Sequence, residues 1–125
     1  MDAASLDRNA YISLATFKRN GDPVAVPVWF AERDGKLYVF TEASSWKVKR
    51  LSRDDRIRVA ACSVRGKLQG DWQEGRGRIT EDDATIESAY QALQKKYGWQ
   101  MTLVNLSSRL FGRVDGRAIL ELELD

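Results

Sequence analysis

Three short alternating runs joined by two tight turn signals constrain this chain most. YISLATF (11–17) is followed by RNGDP (19–23), VAVPVWF (24–30), RDG (33–35) and KLYVFT (36–41). Apolar residues spaced by two belong on one face of a strand, and Asn-Gly and Asp-Gly suit the positive φ of hairpin turns. Val24, Val26, Val28 and Phe30 then share one face of a single strand over 24–30. The pattern continues with a short helix over 45–52, a strand at 57–64 (IRVAACSV) and a long glycine-interrupted strand at 67–79 (KLQGDWQEGRGRI). Glycines 70, 75 and 77 suit the bends that a closing sheet needs. Thr80 with Asp83 reads as a capping box for a helix carrying Ile86, Tyr90, Leu93 and Tyr97 on one face, ended by Gly98. A further helical stretch is expected at 100–108 and a last strand at 113–124. These elements predict one domain over residues 1–125, mainly β: a six-stranded antiparallel β-barrel with helices packed on it.

Composition narrows the chemistry. The 125 residues contain no histidine and one cysteine, Cys62. The commonest general base and metal ligand is therefore missing, as is any internal disulfide, and a zinc site is not expected. Cys62 has apolar neighbours and reads as a buried small hydrophobe. Nothing resembles a GxGxxG or Walker A loop; GRG at 75–77 reads as a bent strand. No apolar run approaches a membrane span, and MDAASLDRNA lacks signal-peptide character, so a cytoplasmic protein is expected. The net charge is only +2, but basic residues crowd between Lys47 and Arg78. An enzyme of this composition would lean on a bound cofactor for its chemistry.

The stretch FTEASSWKVKR (40–50) holds the candidate site. At 100° per residue, its helix centres an apolar face between Val48 and Leu51. Lys47 then lies about 70° from that centre, at the seam with the sheet. Lys49 and Arg50 lie about 130° away and Arg53 about 170° away, in solvent. Ser44 or Ser45 would cap the first turn, whose free N–H groups favour an anion; a plain capped helix with a solvated basic face is the other reading. Trp46 projects away from the apolar face and should be exposed, to cover a second subunit or a flat ligand, or to pack loosely on a loop. Pro27 inside a strand implies an edge or a bulge. It would leave the backbone of Pro27, Val28 and Trp29 open to a ligand, although an ordinary edge strand meets the same pattern. Glu42 and Asp71 could move protons, but nothing pairs them with a nucleophile.

Taken in order, YISLATFKRNGDPVAVPVWF, LYVFTEASSWKVKRL, RDDRIRVAACSVRGK and GRGRI resemble the split β-barrel flavin and deazaflavin proteins, the superfamily of the pyridoxamine 5′-phosphate oxidases. CSVRGK and KYGW are similar to its small F420-dependent branch. The resemblance covers nearly the whole chain. It implies a homodimer with two cofactor sites across the interface and hydride transfer between reduced F420 and an electron-poor small molecule. By position, Pro27, Val28 and Trp29 would line the ring, with Thr41 near the ring or its ribityl chain. Ser45 and Lys47 would hold the phosphate, with Lys49 and Arg50 nearby for further negative charge. Segment 65–72 of a second subunit would complete the site. Trp46 stands where many relatives carry Arg or Gly, and it would weaken the phosphate grip or add a ring contact. The oxidases themselves extend to a C-terminal segment with a substrate-binding Arg, whereas this sequence stops at ELELD; oxidation of pyridoxamine phosphate is therefore not expected. The alternatives are an FMN-binding barrel, a non-catalytic cofactor carrier, and a nucleic-acid-binding barrel using Trp46 and Trp72 as stacking platforms.

Overall fold

The computed structural model describes residues 6–42, 45–98 and 117–125. Its strands are β1 (Tyr11–Phe17), β2 (Pro23–Val28), β3 (Phe30–Arg33), β4 (Lys36–Glu42), β5 (Arg56–Cys62), β6 (Gln73–Ile79) and β7 (Arg117–Leu124). The helices are α1 (Trp46–Leu51) and α2 (Asp83–Tyr97). All seven strands form one antiparallel sheet in the order β2-β1-β5-β6-β7-β4-β3.

That order dictates the shape. β2 and β3 are the two edges of the sheet, yet one residue, Trp29, joins them. Neighbouring Cα atoms are about 3.8 Å apart, so the edges can be joined this way only if the sheet curls until they meet. β2 and β4 accordingly come into contact. The single strand expected over 24–30 is thus two strands, and the described residues hold seven strands where six were expected. The alternation that suggested one strand is intact: Val28 and Phe30 are both buried and point inward. What changes at Trp29 is the partner, from β1 to β4, and local periodicity carries no record of it.

The inner face of the curl holds the larger core, built from Ile12, Leu14, Phe30, Leu37, Val39, Ile57, Val59, Leu120 and Leu122. Helix α1 drops Leu51 and Val48 onto it. Gly77 makes room there, since a Cβ would lie 2.9 Å from Leu122 Cδ2 and 3.3 Å from both Ile57 Cγ2 and Leu51 Cδ2. A second core lies on the outer face, where Ala89 and Leu93 of α2 pack on Ala31, Tyr38 and Ile119, with Ile86, Tyr90 and Tyr97 beside them. The helical face predicted for α2 is therefore its packing face.

Several boundaries differ from expectation. Asp82, not Thr80, caps α2, its carboxylate accepting from the Thr85 amide at 3.0 Å and the Thr85 hydroxyl at 2.6 Å. Gly98 ends the helix as expected, at φ +60°. The ladder of β6 begins at Gln73; before it only Leu68 bridges to Cys62. Both turns form, with Gly21, Asp34 and Gly35 at positive φ. The stretch 100–108, the start of the last strand at 113–116 and Ser44 lie outside the described residues. No helix among the described residues is long and apolar enough to cross a membrane.

Candidate functional site

The residues singled out at the β2–β3 junction sit where the two sheet edges meet. Pro27 pairs with Ser13 of β1 and has no strand on its other side, the edge placement its missing N–H requires. Val28 points into the core and is buried. Continuing the β3–β4 register, in which Phe30 faces Val39, by two residues brings Val28 level with Thr41. Thr41 is buried at the end of β4, opposite Ala118. The fold thus draws the Pro27–Trp29 segment at one edge of the sheet towards β4, which carries Thr41 next to the other edge.

The Trp29 side chain turns the other way. Its ring stacks on Tyr97 of α2, centroids 4.6 Å apart and planes 12° from parallel. The Tyr97 hydroxyl accepts from the Phe30 amide at 2.9 Å and reaches the carbonyls of Ala10 at 2.8 Å and Phe30 at 2.9 Å. Burial, the leading cause, holds its phenol well above the usual tyrosine range. Tyr97 therefore clasps the one-residue crossing. Its place on the helical face was legible in the sequence, but its hydroxyl partners, 67 and 87 residues away, were not. One face of the Trp29 ring is thereby taken up by Tyr97.

At the start of α1, the Ser45 hydroxyl accepts from the Val48 amide at 3.4 Å, so Ser45 is the cap. Lys47 is half-buried, as the angular argument requires. Burial pushes its ammonium below the usual value; Glu42 opposes that and Arg50 adds to it. Among the described residues Lys47 forms no ion pair, whereas Lys36 meets Glu121 at 2.9 Å and Lys96 meets Asp7 at 3.0 Å. Lys49 points outward, also as expected, with its amine 4.5 Å from the Trp46 ring centroid.

Arg50 and Arg53 do not simply enter solvent. Arg50 turns back to the Thr16 hydroxyl at 3.5 Å, and Arg53 donates to the Phe17 carbonyl at 3.1 Å. Both guanidinium groups reach the end of β1, which an angle measured on an isolated helix cannot register. With Lys18 and Arg19 of the β1–β2 turn, Trp46, Lys49, Arg50 and Arg53 line a shallow, open cleft of about 380 Å³. Lys47 does not line it. The basic residues of this stretch are therefore not equivalent: Lys49, Arg50 and Arg53 line the cleft, and Lys47 is half-buried outside it. Cys62 is buried, and burial raises its thiol pKa, as a structural cysteine should behave. Among the described residues no cluster of His, Cys, Asp or Glu could hold a metal ion.

Solved structures share this architecture at low identity. A conserved hypothetical protein of Mycobacterium tuberculosis matches with a TM-score of 0.69 and 21% identity, covering 97% of this chain and 79% of that one. A Listeria innocua protein assigned as a pyridoxamine 5′-phosphate oxidase gives a TM-score of 0.70 at 14% identity, covering 98% and 89%. The heme storage protein HutZ of Vibrio cholerae gives 0.73 at 9%, covering 98% and 87%. At such identities the likeness concerns the fold. No curated protein sequence matches the chain. The family model described as pyridoxamine 5′-phosphate oxidase matches residues 3–124, almost the whole length. The curled sheet, the edge crossing and the matched sequence agree: the chain belongs to the pyridoxamine 5′-phosphate oxidase family.

Proposed function

We propose that the chain is an F420-dependent oxidoreductase that holds the anionic deazaflavin beside α1 and reduces an electron-poor small molecule. The observation that carries this reading is Lys47, a half-buried ammonium at the seam of helix and sheet without an ion-pair partner among the described residues. A half-buried cation that Glu42 offsets only in part costs stability unless an anion completes it. A phosphate on the first turn of α1 would gain the Lys47 ammonium and exposed backbone N–H groups. Ser45 already accepts from Val48, and its own hydroxyl proton remains for an anion.

The remaining residues bind and orient. Pro27 and Val28 offer backbone at a sheet edge, and Thr41 places a hydroxyl at the same level. The Tyr97 clasp fixes the crossing that carries Trp29. When bound, reduced F420 supplies the hydride for a C=C, C=O or C=N acceptor. The chain's own part is to hold the reactants together and exclude water, which suits a sequence without histidine.

A homodimer belongs to this reading. Val64, Leu68 and Trp72 are exposed at 61%, 44% and 40% around the β5–β6 connection, an apolar grouping that a second copy would cover. The same connection approaches the site, since a Cβ on Gly66 would lie 3.9 Å from Pro27 Cδ.

An FMN-binding protein is the second reading, because the Lys47 seam suits any phosphate-bearing flavin. Heme, stored by the Vibrio relative, finds no imidazole ligand in this chain. Equilibrium titration separates these readings: F420 should bind with sub-millimolar affinity and FMN more weakly. Tight FMN binding without F420 binding would transfer the proposal to the flavin.

A further inference from the structure

The cleft beside α1 is not lined by Lys47, yet it gathers five basic residues. Lys18 and Arg19 come from the β1–β2 turn, Lys49 and Arg50 from α1, and Arg53 from the turn after it. None of these five cations is in an ion pair among the described residues. Elsewhere Arg56, Arg58, Arg76 and Arg78 of the same sheet each sit on a carboxylate. No acidic residue lines the cleft. Two of its guanidinium groups are held in place from behind, Arg50 by the Thr16 hydroxyl and Arg53 by the Phe17 carbonyl. Anchoring of that kind reduces the side-chain entropy lost when an anion binds.

One wall is aromatic. Trp46 is 68% exposed, the most exposed large apolar residue described. Lys49 covers it at 4.5 Å and Arg50 approaches at 6.0 Å. A bare polyphosphate would use the cations and waste the tryptophan, whereas an apolar ligand would leave five charges unmet. A ligand with a planar aromatic group joined to several negative charges satisfies both. The volume, about 380 Å³, falls within the range of small-molecule sites.

We propose that this cleft is a second binding site, which takes a free nucleoside polyphosphate with its base on Trp46 and its phosphates among Lys18, Arg19, Lys49, Arg50 and Arg53. The site is independent of the Lys47 seam, so it stands or falls apart from the F420 reading. Such a ligand would bridge the β1–β2 turn and α1.

Calorimetric titration of the full chain with ATP, tripolyphosphate and adenosine, without divalent cations, tests this. ATP should bind with sub-millimolar affinity that falls as KCl is raised, and the other two should bind about tenfold or more weakly, since base stacking and charge each contribute. Trp46→Ala should bring ATP down to the tripolyphosphate level. Arg19→Ala and Lys49→Ala should each weaken ATP severalfold. All three side chains are exposed, and none makes a hydrogen bond described in the structure, so these variants should keep the fold. Lys47→Ala should leave ATP affinity unchanged. Equal binding of ATP and tripolyphosphate, or indifference to Trp46→Ala, would overturn the base site. Loss of ATP binding in Lys47→Ala, or competition between F420 and ATP, would overturn its independence. A single-stranded oligonucleotide that displaces ATP and binds more tightly would show a nucleic-acid groove instead.

Discussion

Lys47 and Arg50 stand three residues apart on one short helix and meet different surroundings. Arg50 has a hydroxyl to bond, while among the described residues Lys47 has Glu42 alone to offset its burial. Lys47→Ala should therefore cost about 1.5–3 kcal/mol of F420 affinity, the range for a hydrogen bond to a charged group. Lys49→Ala should cost less, and equal losses would contradict the assignment of the seam to Lys47. The sign of the pH dependence also follows. The lowered Lys47 pKa means that its charge is lost at lower pH than an exposed lysine's, so F420 affinity should decline as pH rises into the alkaline range. Lys47→Arg should abolish that decline, because a guanidinium stays charged; affinity measured by fluorescence at several pH values checks it. Tyr97→Phe should leave the Phe30 amide and the Ala10 carbonyl without their partner, at about 1–3 kcal/mol in urea unfolding. A neutral result would mean that water replaces the hydroxyl. The seam was legible in the sequence because Lys47's angle to Val48 and Leu51 is local. The anchoring of Arg50 and Arg53 was not, because it depends on where β1 ends.

At the scale of elements, two glycines of β6 mark how tightly the sheet closes. A Cβ on Gly77 would press on the movable ends of Leu122, Ile57 and Leu51, but one on Gly75 would run into the backbone carbonyl of Glu123. Gly77→Ala should destabilise by about 1–3 kcal/mol, the usual range for overpacking. Gly75→Ala should cost more, since backbone cannot yield as a leucine tip can. The reverse order in denaturant melts would contradict the register of β6 on β7. Glu121 on β7 is buried between Lys36 and Arg78. Burial pushes its carboxyl up, but the hydrogen bonds from Lys36 and Arg78 outweigh that and leave it below the usual range. A depressed folded pKa gives stability that is present above the unfolded pKa and lost as pH falls through the folded one. Glu121→Gln should thus destabilise at neutral pH and approach the parent in acid; a gap independent of pH would contradict the ion-pair account. The sequence suggested bends at Gly75 and Gly77, but the β6–β7 ladder passes through both in unbroken register, and what the two glycines provide is room. The Gly77 contacts were not legible, nor was the two-strand division at Trp29, because both are set by which strand lies opposite rather than by local pattern. Thr80 was misread as a cap for a different reason. Asp82, two residues on, offers a stronger acceptor to the Thr85 amide.

For the molecule as a whole, the curl of the sheet brings its two edges together and sets the candidate cofactor site where they meet. The exposed Val64, Leu68 and Trp72 lie in the β5–β6 connection, which approaches Pro27 at Gly66. Light scattering should show a dimer, and Leu68→Glu should shift it towards monomer and weaken F420 binding together. A dimer unaffected by this change would place the interface elsewhere. Binding of an anionic deazaflavin at the Lys47 seam is the proposal on which the other expectations depend. Side-by-side titration of the parent and Lys47→Ala with F420, FMN and heme tests it most directly. Sub-millimolar F420 binding that exceeds FMN and heme, and that falls at least tenfold in the variant, is the predicted result. Failure of F420 to bind, or binding indifferent to Lys47, would contradict it.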